Sequence, residues 1–381
     1  MSAPAISIIM PCYNRAHDLQ KALQAYDEQN IDEPFELIAV DDASTDATYQ
    51  LLSSLHPINY TLRAERLEKN QGPAAARNRG LSLAAAPLVL FTGDDILPHR
   101  DLVRGHLAAH RRYRDREIAV LGRVEWPANA PVNTLMTHID GMGQEQFSYY
   151  YLQDGQEYDF RHLYTANISL KKDFLVSQKK WFDTDFPYAA FEDVELAYRL
   201  SKQGLRIVYS SFPLGYHYHY HNVWTFSTRQ YRSGLMACLL VKKHPEMAHH
   251  VMGKSWPYRT FYWRLLSAIR NYPVESTAWL ETETLHLLNA MEWSSHKLLD
   301  ILYLKALNYF YYKGLIYGTF GEGTTLAGHV HAVYAHRILL PLLSWFFHES
   351  ERLEEPIPEN HGKWVLNSLL RFGVRVPELR T

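Results

Sequence analysis

The chain is poor in cysteine, nearly neutral, and free of long apolar runs. Its 381 residues include two cysteines, Cys12 and Cys238. That is too few for a disulfide framework, so a reducing compartment is expected. A formal charge of −2 provides no basic field to hold a nucleic-acid backbone, and no segment interleaves basic with stacking side chains, so nucleic acid is not an expected partner. No stretch reaches the roughly 18 uninterrupted apolar residues that span a bilayer. The nearest, residues 338–347, contains Pro341 and is flanked by His336, Arg337 and His348. It reads first as a buried helix and second as an interfacial anchor at a membrane surface. No charged-then-apolar leader opens the sequence, and no low-complexity tract or fixed-period repeat appears in it. The expectation is a cytoplasmic protein, with peripheral contact at the inner face of a membrane as the secondary reading.

What is present is alternation. Short apolar runs over residues 6–10, 35–40, 58–63 and 87–91 predict strands, and amphipathic stretches over 18–26, 45–55 and 73–84 predict helices. Ser44 is placed to cap the second helix, and Pro73 sits at the first turn of the third. Strand and helix in turn imply a parallel sheet with helices on both faces. Residues 126–160 are polar and rich in Gly and Tyr, too long for an ordinary loop, and read as a lid or insertion on the acceptor side. Beyond residue 222 the strand signal stops. Three-four spacing predicts helices over 227–243, 259–270, 277–292, 295–312 and 329–347, giving domains 1–222 and 223–381, the second a helical domain or an oligomerisation element.

Acidic residues punctuate the strand ends: Asp41 and Asp42 in Val-Asp-Asp-Ala-Ser-Thr-Asp, then Asp94 and Asp95 after Gly93, then Glu192 and Asp193 opening a helix. Open α/β sheets bind ligands at that carboxyl edge. Adjacent aspartates can hold a hard divalent cation, which favours oxygen ligands and keeps waters. The run Tyr216-His217-Tyr218-His219-Tyr220-His221 has period two, so in an extended segment its histidines share one side. Same-side neighbours roughly 6.6 Å apart suit a three-histidine zinc site poorly.

With Ser7-Ile8-Ile9-Met10-Pro11-Cys12-Tyr13-Asn14-Arg15, Asn70-Gln71-Gly72-Pro73-Ala74-Ala75-Ala76-Arg77-Asn78-Arg79-Gly80 and Glu192-Asp193-Val194-Glu195-Leu196-Ala197-Tyr198-Arg199-Leu200, these clusters resemble family 2 glycosyltransferases of the GT-A fold over about the first 220 residues. The resemblance implies an α/β fold with a mostly parallel sheet flanked by helices, here followed by a helical domain. It implies an inverting, metal-dependent transfer from a UDP-sugar to a glycan or lipid-linked glycan. Asp193 is then the general base and Glu192 an acceptor-orienting neighbour. Asp42, beside Asp41, takes the uracil, with Pro11, Tyr13 and Asn14 as the facing wall. Gly72, Arg77 and Asn78 start a helix against the nucleotide, Arg77 meeting uracil or phosphate, and Asn167 lines the donor sugar.

For the metal, Mn²⁺ or Mg²⁺, the resemblance gives Asp95, Asp94, His217 and His219, with the direct ligand of the aspartate pair left open. Asp94 also serves the nucleotide. The sequence departs from the family where Gly93 stands in place of a first carboxylate. Two other readings stay open: a catalytically silent carbohydrate-binding scaffold of the same fold, and a nucleotidyltransferase making sugar nucleotides. The latter should carry a Gly-rich basic loop after the first strand, which Pro11-Cys12-Tyr13-Asn14-Arg15 is not. Trp181 and Phe182 are candidates for stacking on an acceptor sugar or for core packing.

Overall fold

The computed structural model describes residues 3–141, 146–251, 277–295 and 298–352. The helix expected over 259–270 lies outside them. The chain divides into two compact units, the first holding Met1–Pro131 and Ser148–His219, the second Val132–Phe147 and the chain from Tyr220 on.

The first unit is built on one nine-stranded sheet. Strands β1 (Ile6–Cys12), β2 (Phe35–Asp41), β3 (Thr61–Arg66) and β4 (Leu88–Thr92) alternate with helices α1 (Ala16–Asp27), α2 (Thr48–Ser54) and α3 (Pro73–Leu83). All four strands are parallel, in the order β3-β2-β1-β4. Their uninterrupted apolar sequences fit strands covered on both faces. On one face, Ile6, Ile8 and Met10 of β1 pack with Leu19, Leu23 and Tyr26 of α1 and Leu52 of α2. On the other, α3 lies so close that a Cβ at Gly80 would meet the Ile9 side chain at 2.5 Å.

Beyond β4 the sheet becomes mixed. After β5 (Ile96–Pro98), α4 (Leu102–Arg112), β6 (Ile118–Glu125) and β7 (Glu157–Tyr158), strand β8 (Asn167–Lys171) inserts antiparallel between β4 and β6. The short α6 (Lys172–Val176) follows. The parallel half is thus joined to an antiparallel extension, which refines the expected mostly parallel sheet. Helix α7 (Glu192–Ser201) leads into the long β9 (Arg206–His217), which runs parallel to β6 and antiparallel to β5 and β7.

Helix α2 begins at Thr48, later than expected, and Ser44 does not cap it. The Ser44 hydroxyl instead accepts from the Asn14 amide at 2.9 Å. Residues 126–160 do not form one body: Val132–Phe147 belongs to the second unit and carries α5 (Thr134–Asp140), while the residues on either side belong to the first.

The second unit is helical. Besides α5 it contains α8 (Val223–Lys243), opened by an Asn222–Thr225 capping box, then α9 (Ala248–Val251), α10 (Thr277–Ala290), α11 (Leu299–Phe320) and α12 (Thr325–Arg352). Helices α8 and α11 cross at glycine: a Cβ at Gly234 would meet the Tyr311 carbonyl oxygen at 2.0 Å, and one at Gly314 the Tyr231 carbonyl oxygen at 2.0 Å. Of the apolar stripe on α11, Leu299, Leu302, Leu307 and Phe310 are buried, whereas Ile301 and Leu304 are exposed. Among the described residues no helix is long and apolar enough to cross a membrane.

Candidate active site

The first three strands end level, with Cys12, Asp41 and Arg66 in register, and the acidic clusters gather at that edge. Asp41 is fully buried and ties its own loop, accepting from the Ser44 amide at 3.3 Å and pairing with Arg66 at 3.4 Å. Asp42 accepts the backbone N–H groups of Gln71 and Gly72, each at 2.8 Å. Burial raises its pKa against the pull of those two donors, with Asp41 adding to the rise. Gly72 is required here. Its φ is +84°, and a Cβ would lie 2.7 Å from the Pro187 carbonyl oxygen.

The turn after β1 is laced to the loop after β2. Asn14, at φ 51°, accepts from the Thr45 amide at 2.8 Å, while the Arg15 amide donates to Thr48 Oγ1 at 2.9 Å. Pro11 is half-buried and Tyr13 is 46% exposed at this turn.

The Asp94–Asp95 pair follows β4. The Tyr13 amide donates to Asp94 at 3.1 Å, and Arg15 reaches both carboxylates, at 3.8 Å from Asp94 and 3.5 Å from Asp95. Arg15 also meets His219 Nδ1 at 2.7 Å. His217 Nε2 lies 3.4 Å from Asp95 Oδ2, and Trp126 stacks on the His217 ring at 4.9 Å. Burial, then Asp95, push Asp94 up to about 7, against Arg15 and the Tyr13 amide. Although burial acts in the opposite sense, His217, Arg15 and His219 hold Asp95 well below the usual carboxylate range. The two adjacent carboxylates thus titrate apart in this desolvated corner, Asp95 the more acidic of the pair.

The site fits a divalent cation in part. Asp95 Oδ2 and His217 Nε2, 3.4 Å apart, are close to the separation of about 3 Å that neighbouring ligands of a small octahedral ion adopt. Among the described residues, however, no group of three or more His, Cys, Asp or Glu side chains is gathered to hold a metal by itself. The expected set of four is therefore not assembled. Arg15 stands among those residues, and His219 turns its Nδ1 to it. Strand β9 ends at His217, so the three histidines do not lie along one strand, and His221 is buried in the helical unit against Phe226. The glycine at 93 also has a reason: a Cβ there would lie 2.6 Å from Asp95 Oδ1.

Helix α7 presents Glu192 and Asp193 from a strained entry, since Phe191 before them has φ 65°. Glu192 Oε1 accepts from Arg77 Nη1 at 2.8 Å, and both side chains are buried. Arg77 Nε and Glu192 Oε2 are buried without hydrogen-bond partners. Arg77, expected at the nucleotide, is instead the counter-ion of Glu192. Asp193 accepts from the Val194 amide at 2.8 Å. Burial, then Glu192, push its pKa up to about 7, with Arg77 opposing.

Two asparagines serve other purposes than expected. Asn78 exchanges two hydrogen bonds with the Phe182 backbone, at 2.9 and 3.0 Å, which makes it a clamp between α3 and the loop before α7. Asn167 is 1% exposed. Its amide nitrogen donates to the Arg123 and Pro213 carbonyls, at 2.9 and 2.8 Å, and its oxygen meets His106 at 2.8 Å. A buried amide with both N–H donors already committed has none left to offer a donor sugar. Phe182 is likewise core, edge-on to Phe91 at 5.2 Å. Sequence reasoning missed the Trp126 stack, which no local signal marks, whereas Arg15 carried a signal as a cation three residues past the β1 edge.

Comparison with known proteins agrees with this geometry. Residues 7–175 match the model of glycosyl transferase family 2. An uncharacterized glycosyltransferase of Bacillus subtilis, YfnE, is 36% identical over 104 residues, 27% of this chain and 26% of that protein. Validoxylamine A glucosyltransferase of Streptomyces hygroscopicus subsp. jinggangensis is 29% identical over 231 residues, 54% of each chain. The chain thus spans about a quarter to a half of the lengths of these relatives. Among solved structures, mannosyltransferase PcManGT from Pyrobaculum calidifontis, in complex with GDP-Man and Mn²⁺, is similar with a TM-score of 0.51 at 17% identity, covering 84% of this chain and 88% of that one. That likeness supports the GT-A fold.

Proposed function

We propose that this chain, whose residues 7–175 match the family 2 model, is an inverting glycosyltransferase that moves a sugar from a nucleoside-diphosphate sugar to a hydroxyl of a glycan or lipid-linked glycan. The observation that carries the reading is the division of labour among carboxylates. Asp94 and Asp95 lie with Arg15 and His217, and a separate carboxylate, Asp193, has its pKa raised to about 7 beside a buried Arg77–Glu192 pair. A base poised near neutrality suits removal of an alcohol proton as the hydroxyl attacks the anomeric carbon. The Arg77–Glu192 ion pair fixes the start of α7 and so orients Asp193.

Asp42, fixed by the Gln71 and Gly72 amides, keeps lone pairs for a base N–H. Uracil is the reading the motif favours; a guanine N–H would suit the same carboxylate. Arg15 lies where it can follow charge from the aspartates onto a diphosphate. Mn²⁺ or Mg²⁺ held by Asp94 or Asp95 with His217 would neutralise the leaving diphosphate. The Mn²⁺ in the mannosyltransferase complex supports that choice of group. The test is transfer or hydrolysis of UDP-sugars by the wild type and by Asp193→Asn. Loss of turnover with donor binding intact supports the base assignment. Equal turnover in both removes it, and binding without turnover in the wild type favours the silent scaffold.

For peripheral membrane contact, the surface it would use is the apolar pocket of about 400 Å³ lined by Ile301, Ile338, Pro341, Leu342 and Trp345, with Lys305 at its edge. Flotation with anionic vesicles tests it: co-flotation lost in Trp345→Ala supports the contact, and no flotation removes it.

A further inference from the structure

A second pocket of the helical unit has no part in the chemistry above. It measures about 820 Å³ and opens between α8, α10, α11 and the start of α12, within the size range of ligand sites. Its lining is mixed in a particular way. Trp224, Tyr231, Phe310 and Tyr317 supply aromatic surface, while threonines at 225, 228 and 324 supply hydroxyls. Trp224 is held edge-on to His286 at 5.1 Å, and Tyr231 edge-on to Tyr317 at 6.1 Å, so these rings are fixed by their neighbours.

Two polar features point to a ligand. Ser227 lines the pocket, is 1% exposed, and has a buried Oγ without a hydrogen-bond partner. A helical serine ordinarily returns its hydroxyl to the carbonyl four residues back, as the neighbouring Thr228 does to Trp224 at 3.0 Å. A buried hydroxyl left without a partner is costly, and a χ1 turn that brings it to the pocket wall lets a ligand hydroxyl pair with it. The second feature is Glu322, whose carboxylate accepts from the Tyr231 hydroxyl at 2.6 Å and so is held at the rim.

Charge narrows the class of ligand. Lys313 lines the pocket, but its ammonium is paired with both oxygens of Glu281, at 2.9 and 2.8 Å. With Glu322 on the rim, no spare positive charge is left for a phosphate or a nucleotide. Aromatic faces, hydroxyls and a single carboxylate are the complement of a pyranose, which presents apolar C–H faces and a ring of hydroxyls that both donate and accept. We propose that this pocket is a binding site for a neutral oligosaccharide, stacked on Trp224 and hydrogen-bonded by Ser227 and Glu322. The assignment does not rest on the transferase reading.

The test uses the full chain and a panel of neutral trisaccharides, maltotriose, cellotriose, mannotriose and chitotriose, screened by saturation-transfer NMR and measured by calorimetry. The expected result is millimolar or tighter binding of at least one of them, weakened ~10-fold or more in Trp224→Ala and ~5-fold in Ser227→Ala, as loss of one hydrogen bond predicts. Ser227→Ala removes one buried oxygen and keeps the question answerable if Trp224→Ala does not fold. No binding of any trisaccharide at about 10 mM, roughly ten times the weakest affinity expected, or binding unchanged in a folded variant, overturns the proposal. The latter outcome would place the sugar elsewhere on the chain. Nucleotide binding measured on the same samples separates the two readings: its failure beside intact sugar binding removes only the transferase.

Discussion

At the scale of single residues, the account turns on Asp193. Removing a positioned base costs typically 10²–10⁴-fold in rate, so Asp193→Asn should lose turnover by about that factor while donor affinity, measured by calorimetry, stays within about threefold. The pKa of about 7 places the acid limb of the kcat/KM profile near neutrality, activity rising with pH as the carboxylate ionises. The same shift acts on stability. A folded-state pKa above the unfolded one means the folded protein binds the proton more tightly, so stability falls as pH rises from the ordinary carboxylate range to about 7. Asp193→Asn, which cannot ionise, should therefore raise the melting temperature at pH 8 by more than at pH 5. A uniform shift at both would contradict the assignment. Gly93→Asp, which places a carboxylate where the resemblance expects the first one, should weaken Mn²⁺ binding by ~10-fold or more rather than strengthen it, because its Cβ meets Asp95 at 2.6 Å.

The carboxylates were legible because acidic residues ending apolar runs need no distant partner to be recognised. Arg77, Asn78 and Asn167 were misread because their partners are far away in the chain. Glu192 lies 115 positions from Arg77, Phe182 lies 104 from Asn78, and no local pattern encodes such pairings.

At the scale of elements, glycine decides where backbones touch. Gly234 and Gly314 let α8 and α11 cross in backbone contact, and Gly234→Ala should destabilise the helical unit by about 3 kcal/mol, an overpacking cost with no side chain able to yield. Chemical denaturation read by far-ultraviolet dichroism checks this, and an unchanged midpoint would contradict the crossing. The strands and helices of the parallel half were readable from periodicity to within a few residues. The start of α2 was not, because Ser44 is drawn away by the Asn14 amide. Nor was the antiparallel insertion of β8 between β4 and β6, since a five-residue strand with apolar side chains only at Ile168 and Leu170 does not specify its neighbours.

For the whole molecule, the two units are not consecutive in sequence. Val132–Phe147 belongs with the helical unit, and its Leu135, Met136 and Ile139 are buried. A chain cut after residue 219 would leave that segment without its own unit. Such a fragment should aggregate or fail to melt cooperatively, and a soluble, cooperatively folding fragment would contradict the division. The central claim, that the acidic edge of the sheet is a nucleotide-sugar site, is tested most directly by calorimetry of UDP and GDP with and without Mn²⁺, on the wild type and on an Asp94→Ala, Asp95→Ala double variant. The account predicts Mn²⁺-dependent binding, tighter for UDP, that the double variant abolishes. Absence of binding by either nucleotide under all conditions would contradict it.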